Sequence, residues 1–376
     1  MNKSTRSLKT TLKPFLWILQ VFGMETTPCP ESFRRNKLCS CAWNSPKYFF
    51  SFLLFTLAMC EASWILLLPN LQDEWTIFVI ILLSVFTYIA MIRSRKKFQL
   101  LMYKLMKIAK LLKCFHSWKT LRNLVLVFYI CMYGASILFG VTFLFSQLAI
   151  LDHDLVWNST LISEDLKVYG TIFRDLLVSL SIVACYGIFS TLTGYYCFVS
   201  WCGKLFYSDL LIESKTYIMQ QNYQIILQIY QEISHSMNFA DEFLSYPAFI
   251  LVLSSMSGLF SFTYMFILIS EKDWANYVFI FGLIVYNFII LLMVILPAAA
   301  ANHMATLAND LITSLPGWFP ERYLELNVCI CQKFKTKVSL TLWNIYKIEN
   351  SLLLSALGTL VTYGCLIGNI RISQGS

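Results

Sequence analysis

The sequence predicts an all-α, polytopic membrane protein with seven transmembrane helices, a cytosolic N-terminus and an extracellular C-terminus. Of its 376 residues, 57% are hydrophobic and 16% aromatic, whereas only 13% are charged. A soluble domain carries charge on about a quarter of its residues, and the mean hydropathy of +0.63 also indicates a membrane protein. Seven long apolar stretches and an uneven distribution of basic residues complete the prediction.

The number of spans follows from length, because an apolar helix of about 20 residues crosses the hydrocarbon core of a bilayer. No long apolar run followed by a small-residue cleavage site precedes the first stretch, so this stretch is expected to act as a signal anchor. The expected division is a cytosolic N-terminal region at 1–47, a membrane domain at 48–370 and an extracellular tail at 371–376. The seven stretches are 48–68, 76–92, 124–151, 171–201, 246–270, 276–299 and 351–370.

Basic residues predict the orientation of the chain in the membrane. Residues 1–47 contain eight Lys or Arg, and residues 93–122 contain ten and no acidic residue. Since cytoplasmic loops carry an excess of Lys and Arg, both segments are assigned to the cytosol. Asn158 begins an Asn-Ser-Thr sequon in a predicted outer loop, and is a candidate glycosylation site. The net acidic connections, assigned to the outside, are 70–75, 151–170 and 271–273.

The inner connections are long, and their patterns predict helices rather than loops. In the connection 93–122, Leu101, Leu105, Ile108 and Leu112 recur on one helical face, which is the pattern of an amphipathic helix. The connections 204–245 and 300–349 are interpreted as further helical segments, the second broken at the Pro-Gly-Trp-Phe-Pro run of 316–320. Membrane helices are therefore expected to continue into the cytosol and pack there.

Catalytic and metal-binding patterns are missing from the sequence. The four His residues are scattered, and no Walker A loop, dinucleotide-binding glycine motif or nucleophile elbow occurs. The Cys-x-Cys pairs at 39–41 and 329–331 are spaced too closely for the usual zinc pattern, and their thiols are interpreted as reduced or as palmitoylation targets. We therefore expect a protein that is not an enzyme, with no cofactor, no metal and no nucleic-acid partner.

Polar and aromatic side chains in the outer halves of the spans are the candidates for ligand contacts. A small organic ligand needs an aromatic, mostly apolar cavity with a few polar groups. Glu61 in the first span and Asp175 near the start of the fourth supply carboxylates, whereas Tyr264, Tyr277 and Phe281 supply aromatic surface. Core packing and an interfacial aromatic belt are the alternative interpretations of the same residues.

The last span carries most of its polar side chains on one stripe. At 100° per residue, the stripe lies within about 40° on either side of Ser355. A stripe of this kind fits either a helix that lines a water-filled pore or a polar seam between packed helices. Gly364 and Gly368 lie on another face and suit close helix packing. The stripe consists of Ser351, Ser355, Thr359, Thr362, Leu366 and Asn369.

The same span ends in a motif that resembles the signature of insect gustatory receptors. That signature is Thr-Tyr, five hydrophobic residues and Gln-Phe. Here Thr362-Tyr363 is followed by five residues and then by Asn369-Ile370, so Asn replaces Gln and Ile replaces Phe. The chain length, the seven spans and the cytosolic N-terminus also match this family, which is related to the odorant receptors.

The resemblance implies a tastant-gated, non-selective cation channel. Its last helix would line a pore shared by a homotetramer, or by a heteromer with other gustatory receptors, in contact with membrane lipids of the plasma membrane of gustatory neurons. Segments 204–245 and 300–349 would form a cytosolic anchor, and the ligand would bind in the outer half of the membrane. A bitter or plant-derived tastant is expected rather than a sugar. The implied pore and gate residues are Ser355, Thr359, Thr362, Leu366, Asn369 and Ile370.

Two other membrane-protein classes remain as alternatives. A G-protein-coupled receptor also has seven spans, but it needs the opposite orientation, and the third and seventh spans lack Asp-Arg-Tyr and Asn-Pro-x-x-Tyr motifs. A transporter would be expected to show two related halves with matching broken helices, and no such repeat is evident.

Overall fold

A computed structural model of the chain describes residues 55–56, 59, 74–112, 115–150, 164–268, 274–334, 338–360 and 362. Long helices dominate these residues, and a short hairpin precedes the last helix. In chain order the elements are α1 (Glu74–Leu111), α2 (Phe115–Ile150), α3 (Glu164–Met219), α4 (Tyr223–Leu268), α5 (Trp274–Trp318), a 3-10 turn (Pro320–Arg322), α6 (Tyr323–Lys333), β1 (Thr341–Leu342), β2 (Tyr346–Lys347) and α7 (Asn350–Leu360).

The helical, polytopic class predicted from composition is confirmed. Within the described residues, α2, α3, α4 and α5 contain apolar windows long enough to cross a membrane, and they coincide with the third to sixth predicted spans. The second predicted span forms the first half of α1. Most of the first predicted span, and residues 361 and 363–370 of the last, lie outside the described residues, as does Asn158.

The helices extend well beyond a bilayer, as the amphipathic patterns predict. Helix α3 has 56 residues and is therefore about 84 Å long, against about 30 Å for a hydrocarbon core. The apolar face predicted for the extension of α1 is buried, including Leu101 and Leu105. The extensions of α3, α4 and α5 bury Leu210, Ile226 and Ile312 in the same continuous core.

Charged side chains join the extensions of α1 and α4. The Nζ atom of Lys97 lies 2.8 Å from a carboxylate oxygen of Glu242, and that of Lys107 lies 2.8 Å from one of Glu232. Exposed ion pairs of this kind contribute at most about 1 kcal/mol each. The buried leucines hold these helices together, and the ion pairs favour one register between them.

A short hairpin that the sequence did not predict lies between α6 and α7. Strands β1 and β2 pair antiparallel with Thr341 opposite Lys347 and Leu342 opposite Tyr346. Their turn places Trp343 and Asn344 at φ values of 52° and 55°, a left-handed conformation that side chains other than Gly adopt at a cost. The turn contains no glycine or proline, although Asn344 is of a residue type that tolerates a positive φ. Contacts with distant helices also stabilise the turn.

Candidate ligand site and pore helix

Five aromatic rings from three membrane helices form one cluster, which we name the aromatic cluster. The Phe139 ring on α2 meets Tyr186 on α3 at 6.4 Å, and meets Phe279 and Tyr286 on α5 at 6.2 and 5.7 Å between ring centroids. Phe143 on α2 adds a contact of 6.0 Å with Phe279. Phe139, Tyr186 and Tyr286 are buried. The cluster thus joins α2, α3 and α5 in the apolar part of the bundle.

Hydroxyl groups supply the polar part of the cluster. The hydroxyl of Tyr286 donates a 2.8 Å hydrogen bond to the backbone carbonyl of Tyr186, and the hydroxyl of Ser190 donates one of 2.7 Å to the same carbonyl. The Ser190 and Tyr286 hydroxyls also contact each other. A buried hydroxyl without a partner costs about 1–3 kcal/mol, so this network fixes the Tyr286 side chain. A few placed polar groups among aromatic rings are the usual composition of a small-molecule site.

Two glycines allow the helices around the cluster to approach closely. A Cβ atom added at Gly282 of α5 would lie 2.7 Å from the Phe139 ring, and one at Gly140 of α2 would lie 2.6 Å from Val183 of α3. The hydroxyl of Ser179 also donates a 2.7 Å hydrogen bond to the Gly140 carbonyl. The aromatic cluster therefore lies where three helices are in direct backbone-to-side-chain contact.

The ligand residues predicted from the sequence fall in different places. Tyr264, Tyr277 and Phe281 are 41%, 37% and 55% exposed on the surface of the chain. Phe266 brings two of them together, with ring centroids 4.2 Å from Tyr277 and 6.3 Å from Phe281. Their exposed sides therefore face away from the core of the chain, and none of the three belongs to the buried aromatic cluster.

The two predicted carboxylates are not brought together by the described residues. Asp175 is only 2% exposed and lies one helical turn before Ser179, on the side of α3 that packs on α2. Its carboxylate is therefore buried on that side of the helix. Glu61 lies outside the described residues.

Sequence reasoning missed Tyr186, Ser190 and Tyr286. Tyr186 and Ser190 lie within a continuous apolar stretch of α3, where a single Tyr or Ser has no distinguishing pattern. The adjacent polar residues Tyr286 and Asn287, in the middle of the sixth predicted span, were the available signal. Asn287 donates a 2.8 Å hydrogen bond to the Leu283 carbonyl of its own helix.

The described part of α7 separates an apolar face from a polar one. Leu352, Leu353 and Ala356 pack against the core, with Ala356 buried. Ser355, Thr359 and Thr362 are exposed on the other side. The predicted stripe therefore points away from the core of its own chain over these residues, while Tyr363, Leu366, Asn369 and Ile370 lie outside the described residues.

The exposed threonines of α7 satisfy their hydroxyl donors within the helix. Thr359 donates a 2.8 Å hydrogen bond to the Ser355 carbonyl, and Thr362 donates one of 2.8 Å to the Gly358 carbonyl. The donors are thus paired, and each hydroxyl oxygen keeps acceptor capacity on an exposed residue.

The helices and the buried aromatic cluster define a polytopic membrane protein with a long extramembrane bundle. No protein-family model and no curated protein sequence matches this chain. Among solved structures it is similar to the insect olfactory receptor OR5 from Machilis hrabei, with 15% identity, a TM-score of 0.71, and coverage of 96% of this chain and 98% of that one. The structure of the same receptor in complex with eugenol matches at 16% identity, with a TM-score of 0.68 and the same coverage. This chain therefore has the fold of an insect olfactory receptor over nearly its whole length.

Proposed function

We propose that this protein is a chemoreceptor of the insect gustatory type, a cation channel opened by a small organic molecule. The observation that carries the proposal is the exposed polar stripe of α7, represented by Ser355, Thr359 and Thr362, opposite a face packed on the core. A stripe of hydroxyl oxygens has little to gain from lipid. Several copies arranged around one axis would direct these oxygens into a shared, water-filled path.

Assembly of several subunits is supported by the extramembrane helix α6. This helix buries Leu326 and Ile330 against its own chain, but leaves Leu324 77% and Val328 54% exposed. Apolar side chains on the free face of an aqueous helix favour contact with another copy. We propose that α6 joins subunits of a tetramer, homomeric or with other receptors of this type, and that it lies in the cytosol because the basic segments are retained there.

Ligand binding is proposed for the outer part of the bundle at the aromatic cluster. OR5, which shares this fold, has been solved in complex with eugenol. The buried rings of Tyr186 and Tyr286, together with the hydroxyl of Tyr286, offer both apolar surface and a hydrogen-bonding group to a small organic molecule. The gustatory type is supported by the Thr362-Tyr363 motif with its five-residue spacing. A bitter or plant-derived compound is proposed rather than a sugar, acting at the plasma membrane of gustatory neurons.

The test is expression of the full chain in oocytes, with current recorded during application of plant secondary metabolites and of sugars. We expect a cation current that begins while the compound is applied. This current should persist when G-protein signalling is blocked. A surface-expressed protein that passes no current with any compound contradicts the channel proposal.

Tags on the two termini distinguish the channel from a G-protein-coupled receptor. In intact cells, antibody should reach a C-terminal tag but not an N-terminal one. Antibody access to the N-terminal tag alone would show the opposite orientation of the chain. It would also remove the basis for assigning α6 to the cytosol. Solute uptake that saturates without current would instead identify a transporter.

A further inference from the structure

The hairpin of residues 341–347 joins the first turn of α7 to helices α4 and α5. We propose that Asp241 on α4 and Asn302 on α5 are positioning residues for the pore helix, because they hold this hairpin and so transmit movements of α4 and α5 to α7. The inference rests on the proposed channel function and adds to it the route between the ligand region and the pore helix.

Asn302 binds both ends of the hairpin at once. Its Oδ1 accepts a 2.6 Å hydrogen bond from the backbone N–H of Leu340, and its Nδ2 donates to the carbonyls of Leu340 and Ile348 at 2.9 and 2.8 Å. Asn302, Leu340 and Ile348 are all buried. One side chain of α5 therefore replaces the hydrogen bonds that another strand would supply.

Asp241 holds the first strand from the other side. Its two carboxylate oxygens accept hydrogen bonds from the backbone N–H and the hydroxyl of Thr341, at 2.6 and 2.8 Å. Hydrogen bonds to a charged acceptor are stronger than those between neutral groups. Strand β1 is thus attached to α4 and α5 through two separate side chains.

Trp343 adds an apolar contact at the turn of the hairpin. Its backbone N–H donates a 3.1 Å hydrogen bond to the Ser245 carbonyl of α4. Its ring lies 5.6 Å from the Tyr246 ring and 5.0 Å from the Phe249 ring. These contacts offset the cost of the positive φ at Trp343, and they place the turn on α4 one helical turn beyond Asp241.

The hairpin leads directly into the pore helix. Ile348 follows β2, its N–H donates a 3.2 Å hydrogen bond to the Leu340 carbonyl, and α7 begins at Asn350. Only Ile348 and Glu349 separate the hairpin from this helix. With so short a connection, a displacement of the hairpin relative to the membrane must displace the first turn of α7.

Helix α5 connects the hairpin to Phe279 of the aromatic cluster, and α4 connects it to the exposed Tyr264. Asp241 precedes Tyr264 on α4, and Asn302 follows Phe279 on α5, in each case by a helical distance of about 35 Å. Pro247 lies shortly after Asp241, and α5 likewise contains a Pro shortly before Asn302. A proline inside a helix removes a backbone hydrogen bond and is a common point of bending, so the segments that hold the hairpin can tilt relative to the outer segments.

The test compares two asparagines on the same helix. Asn302→Ala removes the hairpin contacts, whereas Asn309→Ala removes a buried 3.2 Å hydrogen bond from Tyr230 of α4 and leaves the hairpin untouched. Two measurements are made on the full chain: hydrogen exchange in nanodiscs, and ligand-free current in oocytes at equal surface density.

We expect Asn302→Ala to raise amide exchange in 340–348 and 350–360 by about tenfold over Asn309→Ala. We expect its basal current to change by about fivefold, because losing buried hydrogen bonds shifts a two-state equilibrium by that order. Thr341→Val removes the hydroxyl contacts with Asp241 and Asn344 and keeps the backbone bond to Asp241. It should change both quantities in the same direction but less, and it replaces Asn302→Ala as the test if that variant does not fold.

Equal exchange and equal basal current in the Asn302, Thr341 and Asn309 variants would overturn the inference. Increased exchange in the hairpin without any change in current would also overturn it, since the hairpin would then be structural only. Failure of the channel proposal gives a different result. In that case the wild-type protein itself passes no current with any applied compound.

Discussion

The Tyr286 hydroxyl on α5 donates a 2.8 Å hydrogen bond to the Tyr186 carbonyl on α3, and the two rings meet edge to face with centroids 4.7 Å apart. A single residue pair thus supplies both a polar and an apolar contact between two membrane helices. Because the rings belong to the aromatic cluster, this pair couples the packing of α3 and α5 to the shape of the candidate ligand site.

Tyr286→Phe tests the hydroxyl of this pair. The variant keeps the ring, while Ser190 still bonds to the Tyr186 carbonyl, so we expect a loss of about 1 kcal/mol in unfolding free energy. A compound that binds the cluster through the hydroxyl should also lose about fivefold in potency. Thermal unfolding in detergent and dose–response curves of the current measure the two effects. Tyr277→Phe, at an exposed ring, is the control, and an equal loss in both variants would contradict the assignment.

Gly282→Ala tests the close approach of α5 to α2. The new Cβ would lie 2.7 Å from the Phe139 ring, and neighbouring rings limit the movement of that ring. Overpacking of this kind typically costs about 1–3 kcal/mol. Gly134→Ala provides the matched control, since nothing lies within 4 Å of its added Cβ and Ala favours a helix. A reduced melting temperature should be seen only for Gly282→Ala, and should be partly restored by adding Phe139→Leu.

Thr359→Val tests the polar stripe of α7. The substitution keeps the side-chain shape and removes an exposed hydroxyl group. A pore-lining role therefore predicts a single-channel conductance lowered by about twofold or more, with unchanged surface expression. Thr142→Val is the control, because Thr142 on α2 makes the same type of bond, to the Leu138 carbonyl at 2.9 Å. Unaltered conductance and ion preference in both variants would favour a packing seam over a pore.

Leu324→Glu tests the exposed face of α6. If this face joins subunits, the charge would have to be buried in an apolar contact at a cost of several kcal/mol, and the assembly should dissociate. Light scattering of the purified protein in detergent measures the subunit number. Met219→Glu alters a residue 85% exposed at the end of α3 and should leave assembly intact. Tetramers that persist in Leu324→Glu would exclude this face from the interface.

The sequence by itself determined the elements whose signals are local. Apolar stretches predict the helices α2 to α5, and the spacing of Leu101 and Leu105 predicts the buried face of the α1 extension. The run 316–320 predicts the break between α5 and α6. These predictions succeed because hydrophobic periodicity and proline act within a few residues. The gate predicted at Asn369 and Ile370 stays a prediction, since these residues lie outside the described part of the chain.

The tertiary structure alone decided which residues meet across the chain. Asp241 and Thr341 are 100 positions apart, and Asn302 and Leu340 are 38 apart. Their hydrogen bonds stabilise a hairpin whose turn contains no glycine or proline. Likewise, only packing distinguishes buried Tyr286 from exposed Tyr277 on the same helix. Both residues look alike in an apolar stretch, because the side of a helix that faces the core is set by neighbours that the local sequence does not contain.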